Sequence, residues 1–247
     1  MAAGSDTSPL TARFLLPDLI ERGRVNVLSC PLWQSGALVA PTALGSSLTV
    51  WDGSGVKQLD AVAVTVSGST ASYSYTPAAS LDYSEGWRFE WTLEVATVSG
   101  VYRNDGALVR NVLYPVVADP DLYRRHRGLD PAGTSPVSTV ANYQDYRDDA
   151  WATIQLRLIN MGNRLNLILS PSALRECHLT LTLALIFEDF ATSLNETYAE
   201  RATDYRHQYK AAWDALRYTY APRDDDDASA AQHRRAASPT VWLMSRR

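Results

Sequence analysis

The chain has 247 residues, of which 46% are hydrophobic and 20% are charged, the composition of a folded globular protein rather than a disordered one. Its formal net charge of −4 argues against a general nucleic-acid-binding protein, because such proteins carry a basic surface. The longest apolar run, Leu179–Phe187, is too short to span a membrane. Met1–Pro9 lacks the basic and apolar regions of a signal peptide, so we expect a protein made in a cytoplasm and no membrane partner.

After an N-terminal segment of residues 1–24, residues 25–118 have the pattern of a β domain. Short runs rich in Val, Thr, Tyr and Trp are separated by Gly, Ser, Pro and Asp, and Asp52–Gly55 supplies residues typical of a turn. Tyr73 and Tyr75 alternate with serines, and every second residue over Phe89–Val95 is apolar, which is the period of a half-buried strand. About seven such strands predict an immunoglobulin-like antiparallel β-sandwich. The predicted strands are Val25–Ser29, Ala37–Ala40, Ser47–Trp51, Leu59–Val66, Thr70–Thr76, Trp87–Val95 and Leu108–Val117.

Residues 119–141 are predicted to form a linker with one short helix. Asp119 followed by a proline is a helix-start pattern, the helix covers Asp121–Arg127, and Gly128 ends it. The segment Asp130–Pro136 then has the composition of a loop. This linker separates the β domain from a helical domain.

Residues 142–222 contain three predicted helices. The first is Asn142–Met161, and the second begins at Ser170, with a proline at the first helical position, and reaches about Leu194. The third is Tyr198–Tyr220, because apolar residues recur there at spacings of four and three. Three helices joined by short loops pack antiparallel, so the predicted fold class is α+β and multidomain, with a three-helix bundle following the sandwich. The recurring residues of the third helix are Tyr198, Ala202, Tyr205, Tyr209, Ala212, Leu216 and Thr219.

Beyond residue 222 we predict an extended C-terminal arm over residues 223–247. The arm begins with the acidic run Asp224–Asp227 and ends with the short apolar cluster Val241–Met244. This cluster either folds back on the helices of its own chain or inserts into a neighbouring subunit. Burial of its large side chains would contribute about 1.5–3 kcal/mol each.

No residue pattern predicts a catalytic, cofactor-binding or metal site, and we expect a protein that is not an enzyme. The adjacent Cys177 and His178 point about 100° apart on a helix, so we interpret them as a buried thiol beside a hydrogen-bonded histidine. Glu188 and Asp189 form either a functional carboxylate pair or, as we favour, the outer edge of an apolar helix. The basic run Arg124–Arg127 fits a salt-bridging linker helix better than a phosphate-binding surface.

The helical half resembles the head–tail connector, or adaptor, proteins of tailed bacteriophages and gene transfer agents. The similarity covers roughly residues 119–222 and lies in the short Asp121–Tyr123 helix, Asn142–Gln144, Leu158–Arg164 with Leu167–Pro171, and the Tyr205–Tyr220 helix. In that family, small helical subunits form a dodecameric ring under the portal, DNA passes through the ring, and the C-terminal arm reaches into the portal. The resemblance therefore implies a portal-binding role for Val241, Trp242, Leu243, Met244, Arg246 and Arg247, with polar contacts from Arg234 and Arg235.

The resemblance implies a structural virion protein of the phage neck, made in the cytoplasm of the host bacterium, and we expect it to need no cofactor. Its expected partners are further copies of itself, the portal protein, a tail-side neck or tail-terminator protein, and DNA that passes without sequence-specific binding. In such a ring, Asp224, Asp225, Asp226 and Asp227 would line the channel with negative charge. The alternatives are another virion module, such as a head-completion or baseplate protein, and a carbohydrate-binding sandwich that uses Trp33, Trp51, Trp87 and Trp91.

Overall fold

The computed structural model of the chain describes residues 10–14, 16–96, 98–133, 137, 140–221 and 232–235. The fold is α+β, with two sheets of mainly antiparallel strands in the N-terminal half and four α-helices in the described C-terminal half. The chain divides into two compact units between Val112 and Leu113. Residue 118, the predicted end of the β domain, lies in the second unit, where Val117 packs in the same buried cluster as Leu122 of the first helix.

Ten strands form the two sheets of the first unit. One sheet has the order β1-β3-β8-β7, with β4 beside β3, and the other has the order β2-β10-β9-β5-β6. Neighbouring strands are antiparallel, except that β2 runs parallel to β10. The strands are β1 (Leu10–Ala12), β2 (Asp18–Glu21), β3 (Asn26–Gln34), β4 (Ala37–Leu38), β5 (Thr42–Trp51), β6 (Lys57–Ala63), β7 (Thr65–Ser67), β8 (Thr70–Tyr75), β9 (Ser84–Val95) and β10 (Val98–Val109).

One hydrophobic core is shared by both sheets. Strand β9 contributes Trp87, Phe89, Trp91 and Leu93, all at most 1% exposed, and β3 contributes alternate residues that include Leu28. The period of two predicted for β9 is therefore confirmed, since every second side chain from Trp87 to Leu93 points into the core.

Two predicted strands have clearly different limits in the structure, and two observed strands were not predicted. The predicted Leu59–Val66 is divided into β6 and β7, which belong to different sheets, because the chain crosses between the sheets at the buried Val64. The predicted Leu108–Val117 is wrong beyond Val109, since β10 pairs with β9 over Val98–Leu108. Strands β1 and β2 lie in the segment for which no strand was predicted, and both are too short for a clear alternation.

The second unit is organised around a buried central helix. The helices are α1 (Asp119–Arg125), α2 (Gln144–Asn160), α3 (Arg175–Ser193) and α4 (Tyr198–Ala215), with 3-10 turns at Arg127–Leu129, Leu165–Leu167 and Pro171–Leu174. Helix α3 is apolar and buried on nearly all sides, from Cys177 to Phe190, as expected for a helix packed between others. The recurring apolar residues of α4 contact α3. The ring of Tyr205, one of these residues, stacks on Phe187 of α3 with centroids 5.6 Å apart.

The C-terminal end of the predicted third helix is wrong. Helix α4 ends at Ala215, and the next residues form β11 (Arg217–Tyr220), which pairs antiparallel with β12 (Gln232–Arg235). Tyr218 and Tyr220 are both buried, which is the period of a strand rather than of a helix. Residues 232–235 of the predicted arm are therefore a docked strand, whereas the remainder of residues 222–247 lies outside the described residues.

Candidate functional site

The predicted portal-binding residues fall into two groups. Arg234 and Arg235 belong to strand β12, where Arg234 is opposite Tyr218 and Arg235 is opposite Arg217. The others lie outside the described residues, so their role stays a prediction; they are Val241, Trp242, Leu243, Met244, Arg246 and Arg247, together with the channel candidates Asp224, Asp225, Asp226 and Asp227.

Arg234 is held by side chains of its own unit. Its guanidinium carbon lies 3.7 Å from the centroid of the Tyr220 ring, and its Nη1 donates a hydrogen bond of 3.4 Å to Oδ1 of Asn163. The same oxygen accepts a 2.8 Å hydrogen bond from the buried hydroxyl of Tyr218. Asn163 thus links β12, β11 and the end of α2, where its amide donates to the carbonyl of Leu158.

Strand β11 is fixed on the side opposite β12 by the segment before α3. The backbone N–H of Leu169 donates to the carbonyl of Thr219 over 2.9 Å, and the N–H of Ala221 donates to the carbonyl of Leu167 over 2.8 Å. The hydroxyl oxygen of Ser170 accepts a hydrogen bond of 2.8 Å from the N–H of Thr219. Strand β11 is therefore internal, and β12 is the outer strand from which the last residues of the chain continue.

The carboxylates at the end of α3 serve two separate contacts. Glu188 accepts two hydrogen bonds, of 2.5 and 2.6 Å, from the guanidinium of Arg206 on α4. Asp189 is exposed and accepts a 2.6 Å hydrogen bond from the hydroxyl of Tyr146 on α2. Burial, and then this hydrogen bond, raise the pKa of Tyr146 to about 12. The interpretation of these carboxylates as a helix edge is confirmed, since each has its own partner on a neighbouring helix.

The basic run on α1 also pairs within the unit. Arg124 lies 3.5 Å from Asp121, and Arg125 lies 3.7 Å from Glu176 and donates a 2.9 Å hydrogen bond to Gln208. Burial raises the pKa of Asp121, but the backbone N–H of Ala118 and neighbouring arginines outweigh it, so the net shift is downward. The salt-bridging interpretation of this segment is confirmed for Arg124 and Arg125.

The cysteines and the buried histidine are interior groups. Cys30 and Cys177 are free and buried, and burial raises the pKa of each thiol to about 12. His178 is fully buried, and its Nε2 lies 2.9 Å from the carbonyl oxygen of Arg147, while burial lowers its pKa. The interpretation of Cys177 and His178 as interior side chains is confirmed.

The described residues contain neither a group of metal ligands nor a helix that could cross a membrane. Within these parts of the chain, no three or more His, Cys, Asp or Glu side chains are grouped so that they could bind a metal ion. Among the helices of the described segments, none has the length and apolar character needed to cross a membrane.

The tryptophans proposed as a ligand platform are divided between core and surface. Trp87 and Trp91 are buried in the core, so they cannot stack on a ligand, whereas Trp33 and Trp51 are half-buried. Trp51 lines a surface cavity of about 540 Å³ together with Arg88, Asp105 and the turn of residues 52–55. Sequence analysis identified the turn and Trp51 but missed Arg88 and Asp105, which reach the cavity only through strand pairing.

The chain matches no known protein-family model, no curated protein and no solved structure.

Proposed function

We propose that the chain is a structural virion protein of the phage neck, a head–tail adaptor whose subunits form a ring, most simply a dodecamer, between the portal and the tail. The observation that supports this proposal best is the anchored strand β12. Residues 236–247, with the apolar cluster Val241–Met244, follow this strand directly in the sequence, so the cluster is tethered to a fixed point on the helical unit. Trp242 lies seven residues beyond Arg235, so an extended chain reaches up to about 25 Å from β12.

The architecture we propose for the helical unit is an antiparallel three-helix bundle of α2, α3 and α4. Its support is a contact between the two outer helices across the end of the core. Arg157 of α2 donates a 3.2 Å hydrogen bond to the hydroxyl of Tyr209, and its guanidinium lies 4.1 Å from the Trp213 ring centroid on α4. In a ring, such units would pack side by side around the DNA channel.

For the first unit we propose an immunoglobulin-like sandwich. The support is the strand order, because β1-β3-β8-β7 follows the A-B-E-D order of that fold and β5-β9-β10 follows its C-F-G order. Strand β6 beside β5 corresponds to the additional C′ strand.

In the proposed mechanism, the C-terminal peptide fastens each subunit to the portal. Burial of Trp242, Leu243 and Met244 in a portal groove would contribute about 1.5–3 kcal/mol for each side chain, less the loss of conformational freedom of the tether. The acidic run Asp224–Asp227 lies between β11 and β12 in sequence, and in a ring it would repeat around the channel and keep passing DNA from adhering. A tail-side neck or tail-terminator protein would bind the opposite face.

The proposal is tested with the purified full chain and the portal protein encoded by the same phage genome. We expect ring-shaped particles in negative-stain class averages of the mixture, and loss of portal binding when Thr240–Arg247 is deleted or Trp242 is changed to alanine. Ser245→Ala, in the same segment, is the matched control and should bind normally. Portal binding that survives both changes would refute the fastening peptide, and antibody labelling at the baseplate instead of the neck would favour the alternative virion module.

A further inference from the structure

The cavity on the outer face of the second sheet lies where three strands bring distant residues into one row. Trp51 on β5 is opposite Arg88 on β9, and Arg88 is opposite Asp105 on β10. Lys57 of β6 is opposite Trp51 on its other side. The row thus places an indole beside a guanidinium and a carboxylate at the mouth of a cavity of about 540 Å³.

The turn that closes one side of the cavity is held rigidly by Asp52. Its Oδ1 accepts hydrogen bonds from the backbone N–H of Ser54 and of Val56, both 2.9 Å, and from the Ser54 hydroxyl at 2.7 Å. Its Oδ2 accepts a 2.8 Å hydrogen bond from the side-chain amide of Gln58. Hydrogen bonding to Ser54, Val56 and Gln58 lowers the pKa of Asp52 despite some desolvation. The wall of the cavity is therefore formed before any ligand binds, which reduces the ordering cost of binding.

Glycines allow this turn to approach strand β9. A Cβ atom on Gly53 would lie 2.1 Å from the carbonyl oxygen of Glu85, a distance that no side chain tolerates. Gly86, across the gap, has φ +79° and would place a Cβ 3.7 Å from the Cα of Gly53. The backbone of the turn therefore contacts the backbone of β9 at Gly53, where a side chain would collide with Glu85. The cavity opens beside this contact.

The groups that line the cavity match a sugar ring better than an ion. An indole offers a flat apolar surface, while a guanidinium supplies fixed donors and a carboxylate supplies acceptors. Within the described part of the chain, the side chains of Arg88 and Asp105 form neither an ion pair nor a hydrogen bond. The guanidinium carbon of Arg88 lies 4.2 Å from the Trp51 ring centroid, and this weak, exposed contact leaves the guanidinium free to rotate toward a hydroxyl.

We propose that this cavity is a binding subsite for a neutral pyranose unit of a glycan. The sugar's apolar face packs on Trp51, one hydroxyl group donates to Asp105, and another accepts from Arg88. The opposite charges of Arg88 and Asp105 disfavour a purely anionic ligand, since Asp105 would repel it. This inference does not depend on the adaptor proposal, because it concerns the first unit alone.

The test uses saturation-transfer NMR on the full chain with glucose, galactose, mannose and N-acetylglucosamine as separate probes. We expect at least one of these sugars to bind with a millimolar Kd and Trp51→Ala to weaken that binding about tenfold. Trp33→Ala, at another half-buried tryptophan of the same unit outside the cavity, is the matched control and should change the Kd less than twofold. Asp105→Asn should also weaken binding. Because this position is exposed, the variant tests the cavity even if Trp51→Ala lowers the melting temperature.

Three results would overturn the proposal. The first is the absence of transfer from all four sugars, and the second is a Kd that neither Trp51→Ala nor Asp105→Asn changes. The third is binding of glucuronate in the absence of any binding of the neutral sugars. If Asp105→Asn strengthens the binding of glucuronate and Arg88→Ala abolishes it, the cavity is an anion site.

Discussion

Asp18 is the side chain whose ionisation should control the stability of the first unit most strongly. It begins β2, the strand that runs parallel to β10, and its Oδ2 is buried without a hydrogen-bond partner within the described residues. Burial raises the pKa of Asp18 to about 6 from its ordinary value of 3.8, although a hydrogen bond with Asn104 lowers it in part. The negative charge also adds to the effect of burial in raising the pKa of the nearby Cys30 thiol.

The sign of the pH dependence follows from which state loses its proton first. Below pH 3.8 the carboxyl is protonated in both states, and the folded state carries no penalty from it. As the pH rises toward 6, the unfolded chain ionises first, so the free energy of unfolding decreases and the loss is complete above pH 6. A difference of about two pKa units at 1.36 kcal/mol per unit makes this loss at most about 3 kcal/mol.

The perturbation that isolates this contribution is Asp18→Asn, measured against the unchanged chain at several pH values. Urea unfolding followed by tryptophan fluorescence should show the variant gaining about 2–3 kcal/mol relative to the unchanged chain between pH 4 and pH 8. Asp82→Asn changes an exposed aspartate of the same unit, so its difference in free energy of unfolding from the unchanged chain should not vary with pH. If the difference between Asp18→Asn and the unchanged chain is also independent of pH, the Asp18 carboxyl is not ionised at a cost in the folded state.

Two further substitutions test close contacts. Gly106→Ala should destabilise the first unit by about 2–3 kcal/mol, because its Cβ would lie 2.3 Å from the backbone oxygen of Asp18 and 2.4 Å from the Phe89 ring. The decrease in the urea concentration at the unfolding midpoint measures this destabilisation. Tyr218→Phe should lower the free energy of unfolding of the second unit by about 1–2 kcal/mol, since it removes the buried 2.8 Å hydrogen bond to Asn163 without changing the ring. Thermal unfolding measures this decrease.

Each of these substitutions has a matched control. Gly100→Ala on the same strand β10 meets only the end of the Tyr102 side chain, which can move, so it should cost much less than Gly106→Ala. Tyr114→Phe removes a hydroxyl from a side chain that is 61% exposed and should have little effect. Equal losses in a variant and its control would show that the contact named for that variant does not determine its stability.

The sequence alone was sufficient where a local period extends over many residues. In β9 every second residue is apolar, and Trp87, Phe89, Trp91 and Leu93 are buried as predicted. In α3 the leucines at 179, 181, 183 and 185 also fit a strand, but the length of the segment and its proline start predicted a helix. The helix is confirmed, although it begins at Arg175 and the proline opens the preceding 3-10 turn, Pro171–Leu174. Long periodic segments are predictable because each residue contributes to the same face.

Short segments with distant partners could not be predicted in this way. Leu216 and Thr219 continue the four-three spacing of α4, yet Arg217–Tyr220 is a strand because its hydrogen-bonding partners are Leu169, Ser170 and β12, none of which is near it in sequence. Similarly, no local signal shows that the chain changes sheets at Val64. In both places the backbone groups pair with whatever the folded chain brings beside them.

The candidate sugar subsite shows the same division. The Asp-Gly-Ser-Gly turn after Trp51 was evident from residue types, because glycine and aspartate favour such turns through their own backbone preferences. Arg88 and Asp105 join Trp51 only through the registers of β5 with β9 and of β9 with β10. Composition and period therefore determined the two halves of the chain and their buried faces. Only tertiary pairing decided which polar side chains meet, because strand register depends on contacts between residues far apart in sequence.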